Sequence, residues 1–515
     1  MFKRILCGIL AMSLSVAAFA VSASADETAT AANLTVDYDA EVEAAKEGID
    51  YDSDPYEVNY LYLVAMEGAD QSAVNDALNE LMLSELNMTI NTIPMTFGTY
   101  NSQISLMLSS GEPLDVFPGM AAQFATYIES DYIENCADYS DYTQQIYDVL
   151  GEDADGGYVG DFLVGFSNVK ERSYPAGLVC RADLLAEAGY TVDDFAADNS
   201  YGVDFDKITE LFAKVKELHP DMTIMDGTSI MALQTESYGD NLGNVYGYLE
   251  NYGQTLTVTN WFESDEYRNF VTIAHDWFSA GYLSSDIAVN TDSGEIKMKA
   301  GNTFCFMTNV KPNTNVEKLA QTGYEVEIIP CSVPMKHSNA VTADLTCVST
   351  AAEDPVKAFQ FMNWSYVSAE FNNLINWGIE GTDYVVTDDG MAAYPDGVDA
   401  SSVGYHNDYG FIYPNQMCGY PWVGNEADIW EVYAEYNANT TKSQAFGFLF
   451  DSVPVETEIA QLTSVYNQYY KDVGFGVLDV DEGIQTFNDA LYDAGLQTVI
   501  DEKQAQLDEW VAAQE

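Results

Sequence analysis

The hydrophobic and polar positions early in the chain switch between strand-like and helix-like spacing. Residues 58–64 form an apolar run typical of a strand that is buried on both faces in a parallel sheet. A helical stripe follows it, on Val74, Ala77, Leu78, Leu81 and Met82. A second strand (88–93), a helix ending at Gly111 and a third strand (114–117), closed by Pro118-Gly119, come next. The order β-α-β-α-β predicts a parallel α/β lobe.

The same alternation returns further along the chain. Strands are predicted at 174–179, 303–308 and 345–348. Apolar stripes predict helices at 181–187, at 208–215, after Asp354-Pro355, at 459–469 and at 496–510. Asp354 suits the N-cap of its helix and Pro355 the first helical position. A chain of this length is too long for one core, so we expect more than one lobe.

Residues 1–25 have the pattern of a secretory signal peptide. Lys3 and Arg4 precede an apolar stretch, and Ala23-Ser24-Ala25 offers a cleavage site. A membrane anchor is the alternative reading of this stretch. Because no cysteine lies near the cleavage site, we expect the mature protein to lack a lipid anchor. Residues 26–56 are rich in Ala, Asp, Glu and Thr and are predicted to form a flexible acidic tether.

Several segments carry motifs that are informative in combination. They are residues 66–71, 109–116 (SSGEPLDV), 344–348 with Asp354-Pro355, 377–384 (WGIEGTDY), and a tail running from 447–455 to 502–510 (EKQAQLDEW). Together they resemble the extracellular solute-binding proteins of carbohydrate-type ABC importers, which are similar to maltose-binding protein. The similarity is to a large Gram-positive subgroup with a C-terminal helical extension, and it covers roughly residues 57–511.

The resemblance implies a two-lobe, periplasmic-binding-protein-like (type II) α/β fold with a hinge and an interlobe cleft. We expect residues 57–172 with 340–395 to form lobe 1. Residues 173–339 with 396–515, including the C-terminal helices, would form lobe 2. Ligands of open parallel sheets sit beyond the carboxyl ends of the strands, and two hinged lobes close around them. We expect the protein to act as a monomer.

The charge of the chain limits its partners. It has 82 acidic against 19 basic residues and a formal net charge of −63. Such a surface repels nucleic acid and anionic lipid, so we expect contact with the membrane only through a permease. The cysteines beyond the signal peptide are dispersed, with no C-x-x-C, which argues against a zinc site. Most are expected to be buried free thiols, although one or two disulfides stay open.

The sequence contains no motif typical of catalysis. The four histidines form no metal-ligand spacing, and there is no nucleophile elbow or phosphate-binding loop. The D-x-D turns at 153–157 and 479–483 lack the glutamate that a calcium loop has at its twelfth position. We therefore predict no catalytic residue, no metal and no cofactor.

Sugar binding needs flat aromatic rings for stacking and planar polar groups for the hydroxyls. The loop at 405–422 supplies both densely, although its rings could equally pack as core beneath it. Further candidates follow the predicted strands, where the loops should face the cleft. The predicted ligand-binding residues are Glu67, Tyr100, Met120, Gln123, Tyr174, Glu236, Tyr238, Trp377, Glu380, Tyr413, Asn415 and Trp422.

These observations favour a secreted, cell-surface-associated binding component that captures an oligosaccharide and delivers it to the permease of an ABC importer. A peptide or a cationic small molecule is the alternative ligand, because a negative cleft attracts cations. A secreted glycan-degrading enzyme is a third hypothesis, which the missing catalytic motif argues against. Salt would separate the first two, since binding of a neutral sugar should barely depend on ionic strength.

Overall fold

Two β-sheets, each with its own hydrophobic core, organise the chain. The computed structural model describes residues 36–64 and 71–514. The first sheet has five strands, in the spatial order Met88–Met95, Tyr56–Leu63, Val116–Met120, Asp344–Val348 and Phe166–Ser167. The first three run parallel and the strand from Asp344 runs antiparallel to both its neighbours. The carboxyl ends of the parallel strands therefore meet at one edge.

The second sheet is formed by residues that lie, in sequence, between the strands Phe166–Ser167 and Asp344–Val348 of the first. Its four strands are, in spatial order, Val326–Pro330, Ala176–Arg181, Thr303–Asn309 and Thr223–Met225. Ala176–Arg181 is antiparallel to both its neighbours, whereas Thr303–Asn309 and Thr223–Met225 are parallel. The predicted two-lobe α/β architecture is thus confirmed.

Helices cover both sheets. Those of the first lobe are Tyr38–Ala45, Ser72–Leu86, Phe97–Ser110, Phe124–Glu129, Gln144–Leu150, Pro355–Ser365, Ala369–Trp377 and Ile429–Asn439. The predicted caps are present: Asp354 accepts a hydrogen bond from the Lys357 amide, and Gly111 ends its helix with a φ of 68°. Glycine reaches this left-handed conformation without the steric cost of a Cβ atom.

The second lobe also has helices, and the last three of them close the chain. Its main helices are Ala182–Ala188, Phe205–Leu218, Asp265–Ser279, Gly294–Lys299, Thr314–Thr322, Glu456–Gly474, Val480–Asp493 and Leu496–Gln514. The helix at Val480–Asp493 was not predicted. Its D-x-D sequence is an N-cap, because the Asp479 carboxylate accepts from the amides of Asp481 and Glu482.

The tether prediction is wrong for the described part of residues 26–56. Residues Tyr38–Ala45 are helical, and Ala45 and Ile49 are buried in the core of the first lobe. The apolar face of this eight-residue helix is too short to produce a recognisable helical period in the sequence. Residues 26–35, like the signal peptide and the loop at 66–70, lie outside the described residues.

The predicted lobe boundary at residue 396 is also wrong in part. Residues assigned to lobe 2 are buried in the core of the first lobe: Tyr405, Ile412, Tyr413, Met417, Ile429 and Tyr433. The hydroxyl of Tyr413 donates to the carbonyl oxygen of Leu63 at 2.9 Å, at the end of the first strand. The chain joins the core of the second lobe only from Ala445 onward.

Two of the sequence motifs have structural roles. The Asp115 carboxylate of S-G-E-x-x-D accepts from the Tyr56 hydroxyl at 2.6 Å and from the backbone amide of Asn59 at 2.5 Å. It thereby ties the start of the third strand to the first. In G-I-E-G-x-x-Y, Asp383 accepts from the amides of Ile379 and Tyr405. Each motif thus marks a turn whose backbone is held in place by hydrogen bonds to a buried carboxylate.

The thiols are free. Five of the cysteines in the described residues are buried and Cys418 is partly buried, with no disulfide among them. No helix within residues 36–64 and 71–514 has the length and hydrophobicity needed to cross a membrane.

Candidate ligand-binding cleft

Three aromatic side chains lie side by side at the carboxyl edge of the first sheet. Phe97 opens the helix after the strand Met88–Met95, and its ring centroid is 6.1 Å from that of Tyr409. The ring of Phe411 follows at 5.3 Å from Tyr409. Phe97 and Phe411 are each 37% exposed, unlike the many rings buried in the core. We call Phe97, Tyr409 and Phe411 the aromatic ledge.

A polar pair adjoins the aromatic ledge. The Lys170 ammonium lies 2.8 Å from Oδ1 of Asp344 and 6.0 Å from the centroid of the Phe411 ring. Asn168 donates to the other oxygen of Asp344 at 2.6 Å. Asp344 pairs with Met120, the last residue of the third strand. The ledge, the ion pair and the strand end therefore form a continuous surface.

Lys311 brings the second lobe to the same region. It follows the strand Thr303–Asn309, and its ammonium lies 2.9 Å from Glu171 and 3.1 Å from Glu317. Gln416 donates to the other oxygen of Glu171 at 2.7 Å. Burial alone would raise the pKa of Glu171, but the charge and hydrogen bond of Lys311 hold it below its ordinary value.

Asp408 faces the second lobe from beside the aromatic ledge. Its backbone has a φ of 53°, a conformation that Asp and Asn tolerate better than most residues. The side chain reaches solvent, yet the surrounding protein raises its pKa to about 6, with a further contribution from the charge of Glu317. The charge of Lys311, which is bound to Glu317, partly offsets this effect.

We expect Asp408→Asn to remove a pH dependence of stability. Because the folded-state pKa is raised, ionised Asp408 opposes folding as pH rises through about 6. Relative to the variant, the wild-type protein should gain stability between pH 7.5 and pH 5, by less than about 1 kcal/mol after solvent screening. Thermal unfolding at both pH values measures this, with exposed Asp389→Asn as the control. Parallel pH profiles for wild type and Asp408→Asn would contradict it.

A second aromatic group lies beyond Asp408. The rings of Trp377 and Trp422 are 4.9 Å apart, and His406 and Tyr394 lie 4.5 and 4.7 Å from Trp422. We call these four residues the tryptophan cluster. Burial lowers the pKa of His406 to about 4, so the imidazole is neutral at pH 7. Burial raises the pKa of Tyr394, with further contributions from the charges of Asp408 and Asp399.

Four predicted ligand residues are buried in the protein instead. Tyr100 donates its hydroxyl to the Pro118 carbonyl, and Tyr238 packs between Trp261 and Phe270 in the second core. Tyr413 bonds the first strand, as described above. The Asn415 amide donates to the Tyr366 carbonyl at 2.8 Å. These side chains are at most 1% exposed and cannot contact a solute in this conformation.

The other predicted residues are spread over several places. Met120 lies at the strand end beside Asp344, and Gln123 accepts from Tyr127 at 2.5 Å. Tyr174 is bonded to Glu171, and Glu236 accepts from Asn241 at 2.8 Å. Trp377 and Trp422 come together in the tryptophan cluster, whereas Glu380 is exposed next to it. Glu67 lies outside the described residues.

The sequence reasoning missed most of the surface that the structure presents. Phe97 directly follows the second strand, but Tyr100, one helical turn later, was selected in its place. Tyr409 and Phe411 belong to the loop at 405–422, whose aromatic content was recognised without distinguishing exposed from buried rings. Lys170 carries no local signal, because Asp344, its partner, is distant in sequence.

Two α/β lobes that converge on exposed aromatic rings and paired charges define a solute-binding protein. The model of the bacterial extracellular solute-binding protein family matches residues 76–401. This is more than half of the chain, which therefore belongs to that family, as the resemblance implied. A second model, a domain of unknown function (DUF3502), matches residues 444–512.

Several known proteins are similar to this chain in sequence or in structure. A carbohydrate ABC transporter substrate-binding protein of Streptococcus pneumoniae serotype 4 is 21% identical over 461 residues, 84% of this chain and 87% of that protein. The crystal structure of the N-glycan transport solute-binding protein NgtS from Streptococcus pneumoniae has a TM-score of 0.75 at 17% identity, covering 89% of this chain and 100% of that one. An HMO-binding solute-binding protein from Bifidobacterium longum infantis has a TM-score of 0.62 at 15% identity, covering 89% and 99%.

Proposed function

We propose that this protein is the extracellular substrate-binding component of an ABC importer and that its ligand is an oligosaccharide. The lobes would close around the glycan and present it to the permease, without chemical change. The observation that carries the proposal is the aromatic ledge, whose exposed rings lie at the sheet edge beside hydrogen-bonding groups. Rings of this kind stack on the apolar faces of sugars, while carboxylates, amides and ammonium groups bind the hydroxyls.

The relatives support this ligand class. The pneumococcal relative is a carbohydrate ABC transporter substrate-binding protein, and the names of the two structural neighbours refer to N-glycan transport and to HMO binding.

Within residues 36–64 and 71–514, no group of His, Cys, Asp or Glu could hold a metal ion. We propose further that the signal peptide directs the protein out of the cell and that the mature protein is associated with the cell surface.

A cationic small molecule or peptide is the second candidate ligand. The carboxylates of Glu317 and Asp408 favour it, because they bring negative charge from both lobes to one place. Its affinity should fall steeply with added salt, whereas that of a neutral glycan should not. Titration at low and high ionic strength distinguishes the two.

The first experiment is thermal unfolding of the mature protein with a panel of oligosaccharides, amino acids and short peptides. A ligand at 100 times its Kd adds about 2.7 kcal/mol of stability, which gives a clear rise in Tm. A rise with one glycan class supports the proposal. A rise only with peptides or cationic compounds would replace it with the second candidate.

The aromatic ledge can be tested directly with the glycan so identified. We expect Phe411→Ala and Phe97→Ala each to weaken binding by about 1–2 kcal/mol, roughly five- to thirtyfold, through loss of a stacking surface. Tyr142→Ala is the matched control, because Tyr142 is also 37% exposed in the first lobe but is not part of the ledge. Isothermal titration calorimetry measures all three. Unchanged affinity in both ledge variants would place the sugar elsewhere.

A further inference from the structure

We propose that the cleft selects uncharged oligosaccharides and rejects glycans that carry carboxylate or sulfate groups. This inference rests on the proposed function and narrows its ligand class. A carboxylate-bearing sugar needs a cation with free hydrogen-bonding capacity, and the lysines at the cleft are bound to carboxylates of the protein itself.

The lysine nearest the aromatic ledge is neutralised in place. Lys170 and Asp344 lie 2.8 Å apart, and their side chains are only 13% and 11% exposed. An anionic group that stacked on Phe411 would meet Asp344 as well as Lys170. It could reach a remaining N–H of Lys170 only at short range from the negative charge of Asp344, which repels it. Sugar hydroxyls can instead donate to the free lone pairs of Asp344 without a charge penalty.

The lysine brought by the second lobe is bound in the same way. Lys311 is held between Glu171 and Glu317, at 2.9 and 3.1 Å. Its ammonium also lies 5.4 Å from the centroid of the Tyr433 ring, so a further side of the cation is covered. Lys311 therefore adds no free positive charge to the cleft.

The carboxyl end of another second-lobe strand repeats the arrangement. Asp226 directly follows the strand Thr223–Met225 and is buried, and Lys297 lies 3.9 Å from it and 3.4 Å from Asp292. The Asp226 carboxylate also accepts from Asn290 at 3.0 Å. Lys297 is thus flanked by two carboxylates and adds no unpaired positive charge at this edge.

The local charge balance is negative. Five carboxylates take part in these ion pairs against three lysines, and Asp408 adds a further carboxylate with no ion pair among the described residues. A like charge on the ligand would be repelled at short range and, with a net protein charge of −63, during its approach. Neutral sugars experience neither effect.

Matched glycan pairs test the inference. We would titrate the protein with sialylated and desialylated forms of the same N-glycan, and with neutral galacto-oligosaccharides and oligogalacturonates of equal length. We expect a neutral glycan of the panel to bind with an affinity nearly independent of salt. The anionic partner of any glycan that binds should bind at least roughly tenfold more weakly. Equal or tighter binding of the anionic partner overturns the inference but leaves the proposed function intact. Binding of cationic peptides in place of any glycan would overturn both.

Removing one protein carboxylate should relax the selectivity. In Asp344→Asn the side chain keeps its size while Lys170 loses its counter-charge. The anionic glycan should therefore gain affinity about tenfold at low salt, and added salt should reduce that gain. The double variant Asp344→Asn, Lys170→Met should lose that gain. Circular dichroism and Tm show whether each variant is folded. A folded Asp344→Asn protein with unchanged selectivity would count against the inference.

Discussion

Replacement of Lys503 by methionine is expected to lower the free energy of unfolding by about 3–5 kcal/mol. The Lys503 side chain is fully buried, and its ammonium donates to the carbonyl oxygens of Asn241, Asn244 and Gly247 at 2.8, 2.8 and 3.1 Å. Burial lowers its pKa well below the ordinary value, and no carboxylate in the described part of the chain is bonded to it. Methionine has similar length but no donor, so it would leave buried carbonyl groups unpaired.

The measurement is denaturant unfolding followed by a signal from each lobe, because a two-lobe protein need not unfold in one step. Hydrogen exchange at residues 241–247 gives a local readout, and their protection should fall first. Lys299→Met is the control: Lys299 is exposed in the same lobe and should change stability by no more than about 0.5 kcal/mol. A stability of Lys503→Met within that range of wild type would show that the carbonyl groups find water instead.

Lys503 belongs to the C-terminal region, residues 444–512, that matches a domain of unknown function. Its apolar residues are buried in the core of the second lobe, among them Leu462, Phe487, Leu491 and Leu507. Gln504 bonds both the Val258 amide and the Leu256 carbonyl, and so fixes a neighbouring loop. In the E-K-Q-x-Q-L-D-E-W motif, Lys503 and Leu507 are thus buried and the two glutamines hold neighbouring loops, whereas the last two acidic residues are exposed. The region completes the second lobe and is not a separate module.

The strongly periodic elements could be predicted from sequence. The helix carrying Val74, Leu78 and Met82 is observed as Ser72–Leu86, and the apolar run at 58–64 as Tyr56–Leu63. Both depend on burial that repeats within a few residues, which a local pattern records. The segment 405–433 could not be assigned, because its place on the first lobe depends on contacts with residues such as Leu63, more than 300 positions away. No local spacing encodes that pairing.

The same limit explains why the sequence does not show which rings of the candidate site are exposed. Phe411 and Tyr413 lie two residues apart in a loop where neither periodicity nor composition separates them. Phe411 is 37% exposed on the aromatic ledge, whereas Tyr413 is buried and bonded to the first strand. The sequence predicted that this loop supplies residue types suited to sugar binding. Which of its rings are exposed is decided by tertiary hydrogen bonds, which only the structure reveals.

Glu171→Ala is expected to have the second large effect, a loss of about 3–5 kcal/mol of stability together with weaker ligand binding. Glu171 is 2% exposed and lies in the segment that links the two sheets. One oxygen binds Lys311 of the second lobe, and the other binds Gln416, in the segment that packs on the first lobe. Without Glu171, Lys311 keeps only the more exposed Glu317 as a counter-charge.

A double-mutant cycle with Lys311→Met tests this reading of Glu171. Removing both partners of a buried pair costs less than removing one, so the double variant should be more stable than Glu171→Ala alone. Because the pKa of Glu171 is lowered, its contribution is present at neutral pH and is lost as pH falls through that lowered value. The difference between wild type and Glu171→Ala should therefore shrink in acid. Glu187→Gln, in an exposed pair with His219, is the control and should cost less than about 1 kcal/mol. If Glu171→Ala cost no more than this control, the link between the lobes would rest on the backbone and apolar contacts alone.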